Sequence, residues 1–151
     1  WDLKETPLLD IDTQQIATKY ILQEGDILFA AKWSRNFASV YKKEFGTCVA
    51  SSTFFVIRII KSWIIPEYLA IILHESQQTT YFKSNQIGWQ TQSITKSTLE
   101  NYTINIPSKE KQQMIIDIYN NYKAQLLLYK QLNQKKQKLI QNIILSSHTY
   151  T

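Results

Sequence analysis

Two short runs of apolar and β-branched residues predict β-strands. In the first run, residues 20–30, the turn-forming triplet Glu24-Gly25-Asp26 directly precedes apolar residues, and Gly25 is predicted to take a backbone conformation that other residues resist. The second run, residues 53–60, is rich in β-branched and aromatic residues, as buried strands are. Phe54 and Phe55 lie in this run and are predicted to be core residues. Together the two runs predict a central sheet.

Two prolines mark the starts of predicted helices. Pro66 followed by Glu67 is a helix-start signal, and a short, largely buried helix is predicted from there through His74. Pro107 ends the globular part, and Ser108 is placed to cap a helix that begins at residue 109 or 110. No Gly or Pro follows as far as residue 151. A helix over residues 109–146 would be about 55 Å long at ~1.5 Å per residue, so we expect it to require a partner.

Apolar residues of this long helix recur in alternating steps of four and three, which is the spacing of a coiled-coil seam. One register, interrupted by polar Asn133 and Lys136, passes through Ile115, Tyr119, Tyr122, Leu126, Tyr129, Ile140 and Ile143. A second register also fits, through Ile118, Tyr122, Tyr129, Leu132, Leu139 and Ile143. Both stripes are therefore candidate contact surfaces for partner helices, and Leu132 is among the expected contact residues.

These elements predict an α+β fold, in which a globular mixed α/β domain of residues 1–108 is followed by one long coiled-coil helix over residues 109–151. A chain of 151 residues with 44% hydrophobic residues can build one core but not two. The longest apolar run, residues 62–73, is interrupted by Pro66 and Glu67 and is shorter than the roughly 20 residues of a membrane span. No transmembrane helix and no membrane partner are expected.

The chain termini and the cysteine content bear on the compartment. No basic region followed by an apolar stretch occurs near the N-terminus, so no secretory signal is expected. The chain begins with Trp1 instead of Met, which suggests a trimmed or partial chain. Cys48 is the single cysteine, so no internal disulfide can form, and a cytoplasmic location is expected.

The net charge of +5 is unevenly distributed. Residues 1–108 contain ten Lys/Arg and ten Asp/Glu, whereas residues 109–138 contain seven Lys against Glu110 and Asp117. The positive excess therefore lies on the predicted helix. Bulk charge alone does not identify a DNA-binding face in the globular part.

Two acid-free segments carry side chains suited to DNA contact. The first polar segment, residues 32–43, contributes Lys32, Trp33, Arg35, Asn36, Lys42 and Lys43. The second polar segment, residues 76–98, contributes Lys83, Asn85, Gln86, Gln90, Gln92, Ser93 and Lys96. Lys and Arg suit phosphates, while Arg pairs with guanine edges and Asn or Gln with adenine edges. An ordinary solvated surface has a similar composition, and for any single Gln that is the simpler interpretation.

The residues needed for catalysis or metal binding do not form a recognisable constellation. His74, His148 and Cys48 are far apart in sequence and do not have the spacing of metal ligands. Asp26 is interpreted as a turn residue, because nothing in the sequence places a second titrating group near it. With three glycines, the chain has no Gly-rich phosphate loop, and it has no adenine-methyltransferase motif and no nuclease carboxylate cluster. We predict no catalytic residue, no metal and no cofactor.

The order of the motifs along the chain is more specific than any one of them. Gly25-Asp26-Ile27-Leu28 is followed by Thr53-Phe54-Phe55-Val56, by Pro66-Glu67-Tyr68-Leu69, by Ser93-Ile94-Thr95, and by Ile104-Asn105-Ile106-Pro107-Ser108, which leads through Gln112 and Ile115 into the long helix. In this order the chain resembles, over nearly its whole length, one target-recognition domain and one spacer helix of a type I restriction-modification specificity subunit. It departs from that pattern at Lys111-Gln112, where the family often has Glu-Gln, and at residues 32–37, which replace a Gly-containing loop.

The resemblance implies a DNA sequence-specificity module that reads one half of a bipartite target, and it favours DNA contact by both polar segments. It implies a non-catalytic subunit, with methyl transfer and cleavage carried out by separate subunits. The implied partners are double-stranded DNA, the modification methyltransferase subunits and the restriction subunit. The spacer helix is expected to pair antiparallel with a second copy or with the other half of a longer subunit, so the chain is either a natural half-subunit or a fragment.

The alternative function is a coiled-coil dimeric adaptor with a protein-binding head. Such an adaptor would dimerise equally well but would bind DNA without sequence preference. A small enzyme is disfavoured, because no nucleophile and base or metal constellation can be assembled.

Overall fold

The computed structural model describes residues 20–31, 37–76, 80–85 and 93–147. In these ranges the chain forms strands β1 (Ile27–Ala30), β2 (Ala38–Val40) and β3 (Phe54–Ile57), and helices α1 (Pro66–Ser76), α2 (Thr80–Ser84), α3 (Lys96–Glu100) and α4 (Lys109–Ser147). A 3₁₀ turn over Lys43–Phe45 follows β2. A small antiparallel sheet with helices, one of them long and C-terminal, confirms the predicted α+β class.

The three strands form one antiparallel sheet in the order β2-β1-β3. Ile27 lies opposite Val40 on one side and opposite Ile57 on the other. Strands β1 and β3 fall inside the two predicted runs, whereas β2 was not predicted. Strand β2 lies within the first polar segment. A three-residue strand has too short a pattern to recognise in the sequence, and it is formed by pairing with β1.

A tight turn leads into β1, as the sequence predicts. Gly25 has a φ of 85°, in the left-handed region that favours glycine. The Asp26 N–H donates to the Gln23 carbonyl at 2.9 Å, which closes the turn. A Cβ at position 25 would lie 3.4 Å from Cγ of Pro66, so the turn is also close to the start of α1.

The core lies on both faces of β1, which explains why this strand is apolar throughout instead of alternating. Ile27 and Phe29 pack with Leu73 of α1 and Phe82 of α2, and Leu28 packs on the other face with Leu22 and Tyr41. The core assignment of the two phenylalanines of β3 is confirmed, since Phe55 packs against the first cluster and Phe54 against the second.

Both predicted helices are present. Helix α1 begins at Pro66, and α4 begins at Lys109 with the Ser108 hydroxyl 3.5 Å from the Lys111 N–H, which is the predicted capping contact. The 39 residues of α4 correspond to about 58 Å at ~1.5 Å per residue. The five-residue helices α2 and α3 were not predicted. Helix α2 lies in the second polar segment and α3 begins in it, and five residues are too few to show a repeating helical pattern in the sequence.

The chain divides into two compact units, with the boundary between Gln113 and Met114. The domain boundary drawn from the sequence, between Ser108 and Lys109, stays a prediction. Among the helices of the described ranges, none combines the length and the hydropathy that crossing a bilayer requires.

Candidate nucleic-acid interface

Ala31 and Phe37, on either side of residues 32–36, and Ile94 of the second polar segment meet at one end of the sheet, and we call these three residues the loop bases. The Ala30 N–H donates to the Phe37 carbonyl at 2.8 Å, so both ends of the stretch between residues 31 and 37 are joined across the β1–β2 pair. The Ile94 N–H donates to the Ala31 carbonyl at 2.9 Å. The first polar segment therefore leaves β1 beside the point where the second polar segment returns to the core.

Aromatic side chains hold the second polar segment against the sheet at that end. Phe82 of α2 packs on Phe29 of β1 with ring centroids 5.9 Å apart and on Tyr102 at 4.7 Å. The Tyr81 hydroxyl donates to the Thr98 carbonyl at 2.9 Å, which ties α2 to α3. These contacts place α2 and α3 next to the loop bases without using the polar side chains that were singled out for DNA contact.

Lys42 and Lys43 lie at the opposite end of the sheet from the loop bases. The Tyr41 N–H donates to the Asp26 carbonyl at 2.7 Å, which places the following lysines beside the turn that precedes β1. Four residues of strand separate this end from Ala31, or about 13 Å at ~3.3 Å per residue. Both lysines are exposed. The carboxylate of Glu24 accepts a hydrogen bond from the Lys43 N–H. The fold therefore brings a carboxylate next to this part of the first polar segment, although the segment itself contains none.

The described candidates of the second polar segment lie near the loop bases. Lys83, Asn85 and Lys96 are exposed, and Ser93 is half-buried. Asn85 uses one amide hydrogen to donate to the Tyr81 carbonyl at 2.8 Å. The Lys96 ammonium lies 3.4 Å from the Glu100 carboxylate, one turn away on α3. The charge of Lys96 is therefore partly neutralised by Glu100, which lies just beyond the second polar segment in the sequence.

Seven of the predicted DNA-contact residues lie outside the described residues: Lys32, Trp33, Arg35, Asn36, Gln86, Gln90 and Gln92. Their assignment stays a prediction, as does that of the candidates whose positions are described. Within the described ranges, no group of three or more His, Cys, Asp or Glu side chains lies close enough together to hold a metal ion.

The predicted seam residues of α4 are largely exposed. Ile115 and Tyr119 are half-buried, and the exposed members are Tyr122, Leu126, Tyr129, Leu132, Ile140 and Ile143. Ile118 and Leu139 of the second register are also exposed, so both stripes are open to solvent in the single chain. The long helix is confirmed, and its pairing as a coiled coil stays a prediction.

Comparison with known proteins identifies the family. Residues 8–138 match the family described as Type I restriction modification DNA specificity domain. The chain belongs to this family. It is also 30% identical over 132 residues to the type I restriction enzyme HindI specificity subunit of Haemophilus influenzae, covering 85% of this chain and 28% of that protein. The resemblance drawn from the order of motifs is thus confirmed, and the chain spans about 28% of the length of that curated relative.

This specificity domain contains an ion pair between the buried Asp26 and the exposed Arg58 that the sequence analysis missed. Arg58 donates from Nε to Asp26 Oδ1 at 2.7 Å and from Nη2 to Oδ2 at 2.6 Å, and the Gln23 N–H donates to Oδ2 at 2.8 Å. Asp26 is 1% exposed and Arg58 is 42% exposed. Asp26 is a turn residue, as predicted, but the expectation that no titrating group lies near it is wrong. The signal was the strand register, since pairing Ile27 with Ile57 places positions 26 and 58 opposite each other.

The ion pair sets the ionisation of Asp26. Burial by itself raises the pKa of the Asp26 carboxyl, but the hydrogen bonds from Arg58 and the Gln23 N–H, together with the Arg58 charge, more than offset burial. The pKa therefore lies below its ordinary value of 3.8, and the carboxylate is charged at neutral pH.

A second buried polar side chain, Gln112, fixes the first turn of α4. Gln112 is 0% exposed, and its Oε1 accepts from the Ile65 N–H at 2.9 Å. Its Nε2 donates to the Trp63 carbonyl at 3.0 Å and to the Pro107 carbonyl at 2.9 Å. A glutamine on a polar helix carries no local signal for such a role. Its three partners lie in the segment before α1 and in the segment before α4, which only the fold brings together.

Proposed function

We propose that this chain is a DNA sequence-specificity module of a type I restriction-modification system, which reads one half of a bipartite target and is itself non-catalytic. The match of residues 8–138 to the specificity-domain family carries the proposal. The meeting of the loop bases at Ala31 and Ile94 supports it, because side chains from both polar segments would then reach the same stretch of a duplex.

In both polar segments, the type of side chain decides which part of the DNA it is proposed to contact. Arg35 and Asn36, with the Gln side chains of the second polar segment, are proposed to read base edges, since guanidinium and amide groups make paired hydrogen bonds there. Lys32, Lys83 and Lys96 are proposed to bind phosphates next to those bases. Lys42 and Lys43, at the far end of the sheet, are proposed to bind phosphates of the DNA that lie beyond the base pairs of the recognised half-site.

Selection from a random duplex pool by the 151-residue chain is expected to enrich one short sequence. On that duplex, Arg35→Ala is expected to weaken binding by about 10- to 100-fold and to relax the preference at one base position, because a bidentate base contact contributes about 1–3 kcal/mol. Lys83→Gln is expected to weaken binding to all duplexes by one common, smaller factor and to reduce the slope of log K against log salt concentration by about 0.9, since a phosphate contact carries no base information. Both effects are measured by fluorescence anisotropy.

Lys61→Gln serves as the matched control for both variants. Lys61 is exposed and lies after β3, away from the loop bases, so its replacement is expected to leave binding within twofold of the unmodified chain. If the pool shows no enrichment while the chain still binds duplexes of any sequence, the adaptor function replaces the one proposed here.

The exposed stripes of α4 are proposed to pair with a second α4, supplied by another copy or by the other half of a longer subunit, and to help dock the methyltransferase subunits. Through the methyltransferase, the assembly would recruit the restriction subunit. The cytoplasm, where those subunits and the DNA meet, is the proposed location. The continuous exposure of apolar side chains from Tyr122 to Ile143 supports pairing, because a solvated helix gains nothing from them.

Light scattering of the chain at micromolar concentration is expected to give the mass of a dimer, and to give a larger mass when the methyltransferase subunit is added. Leu126→Glu is expected to return the chain to the mass of a monomer, because it places a charge in the apolar seam. Gln131→Glu introduces the same charge on the other side of the helix and is expected to leave the dimer intact. A wild-type chain that stays monomeric and ignores the methyltransferase contradicts the half-subunit assignment.

A further inference from the structure

Helix α4 carries an unbalanced positive charge along its C-terminal part. From Ile118 to residue 151 the chain contains no Asp or Glu, but it contains Lys123, Lys130, Lys135, Lys136 and Lys138. The nearest carboxylate, Asp117, precedes Lys123 by six residues, so it is too far along the helix for the usual pairing three or four residues apart. Coiled-coil helices commonly flank their seam with both Glu and Lys, and α4 has only the positive half of that pattern.

Three of these lysines lie on one side of the helix. At about 100° per residue, Lys123, Lys130 and Lys138 fall within an arc of about 80°, which we call the lysine face. The amides of Gln134 and Gln141 and the apolar Leu127 lie within the same arc. All of these residues are exposed. The seam residues Tyr122, Tyr129 and Ile140 lie about 80–100° from the nearest of these lysines, and Leu126 lies about 40° from Lys130, so Lys123 and Lys130 flank the seam. The Lys123 ammonium lies 5.6 Å from the centre of the Tyr119 ring. A lysine that flanks a seam covers apolar surface with its methylene groups and keeps its ammonium in water, so the lysine face stays accessible when the seam is covered.

A second copy of the chain cannot neutralise the lysine face. Its α4 brings seven Lys against Glu110 and Asp117, so pairing in either direction doubles the positive excess, including antiparallel pairing, which brings those two carboxylates alongside the lysines. Successive lysines of the face are about 10 and 12 Å apart along the axis, at ~1.5 Å per residue. A DNA duplex presents one negative charge per about 1.7 Å of its axis, so a phosphate is available opposite each of them.

We propose that the lysine face of α4 contacts the phosphate backbone of bound double-stranded DNA without reading bases. The proposal rests on the proposed function, since it adds a second, sequence-independent contact surface to a module that recognises DNA through its globular unit. Charge complementarity along about 22 Å of helix is what selects a polyanionic duplex as the occupant.

The test compares the 151-residue chain with the triple variant Lys123→Gln, Lys130→Gln, Lys138→Gln. Binding to the duplex enriched from the random pool and to a scrambled duplex is measured by fluorescence anisotropy between about 50 and 200 mM salt. The triple variant is expected to bind both duplexes about 10- to 100-fold more weakly, with an unchanged ratio between them. The slope of log K against log salt concentration is expected to fall in magnitude by up to about 2.7, since each phosphate contact contributes about 0.9.

Single variants on neighbouring residues give a matched control. Lys138→Gln is expected to weaken binding and reduce the slope by about 0.9. Lys136→Gln removes the same charge two residues away, but Lys136 lies within the apolar stripe, so DNA binding is expected to stay unchanged. The triple Lys→Arg variant keeps the charge and is expected to bind like the wild-type chain. Circular dichroism checks that α4 keeps its helicity, since lysine and glutamine have similar helix propensities.

The outcomes separate this inference from the proposed function. If the triple variant keeps both affinity and salt slope while the wild-type chain discriminates the two duplexes, the lysine face has another occupant and the inference is overturned. Equal losses in Lys136→Gln and Lys138→Gln also overturn it, because they show an effect of net charge and not of one face. If the wild-type chain binds neither duplex, the proposed function fails as well.

Discussion

Gln112→Leu is expected to lower the free energy of unfolding of the globular unit by about 2–4 kcal/mol, because it leaves three partly buried backbone groups without a hydrogen-bond partner. These groups are the Ile65 N–H and the carbonyls of Trp63 and Pro107. Leucine fills nearly the same volume, so the loss arises from missing hydrogen bonds and not from a cavity. Urea denaturation followed by tryptophan fluorescence measures it.

Gln134→Leu is the matched control, since it makes the same substitution at an exposed position of the same helix. It is expected to change the unfolding free energy by less than about 0.5 kcal/mol, as surface substitutions usually do. Equal effects of the two substitutions would contradict the structural role given to the Gln112 hydrogen bonds.

Asp26→Asn is expected to lower the free energy of unfolding by about 2–3 kcal/mol at pH 7, because it removes the charge that pairs with Arg58 and turns an amide hydrogen toward the guanidinium or toward the Gln23 N–H. Breaking a fully buried pair costs more, and the figure is reduced here because Arg58 is 42% exposed and water can solvate it. Glu24→Gln is the control in the same turn. Its side-chain oxygen can still accept from the Lys43 N–H, so the change is expected to stay below about 0.5 kcal/mol.

The difference between the wild-type chain and Asp26→Asn is expected to depend on pH. Because folding lowers the pKa of Asp26, its carboxylate stabilises the fold fully above the unfolded-state pKa, and this stabilisation is lost as pH falls through the lower pKa of the folded state. Asparagine does not titrate. Urea midpoints of the two proteins should therefore converge as pH is lowered below the ordinary Asp value of 3.8. A constant difference down to the acid limit would show that the loss is steric.

The elements that the sequence predicts are those with a strong local signal. The apolar residues of β1 and β3, the proline that begins α1 and the capping serine of α4 each specify an element within a few residues of themselves. Strand β2 exists only as a pairing partner of β1. The ion pair of Asp26 joins residues that are 32 positions apart in the sequence, and the Gln112 hydrogen bond to Ile65 joins residues 47 positions apart. No local sequence pattern predicts contacts at these separations.

The candidate interface also contains features that the sequence predicts and features that only the fold determines. Composition predicted two polar segments, because a lack of carboxylates is visible in the sequence itself. Their meeting at Ala31 and Ile94, and the separation of Lys42 and Lys43 from that point, depend on the strand order and on a backbone hydrogen bond between residues 31 and 94. Neither the strand order nor that hydrogen bond leaves a trace in residue composition.

Two main-chain hydrogen bonds join the described parts of the two polar segments to β1, from the Ala30 N–H to the Phe37 carbonyl and from the Ile94 N–H to the Ala31 carbonyl. Every residue except proline supplies the same main-chain donor, so these hydrogen bonds do not depend on the side chains of the polar segments. Substitutions at residues 32–36 and 86–92 therefore leave the donors and acceptors of these main-chain hydrogen bonds unchanged. Under the proposed function, a lineage could acquire a new target sequence through a few loop substitutions, while the sheet and the long helix are inherited unchanged.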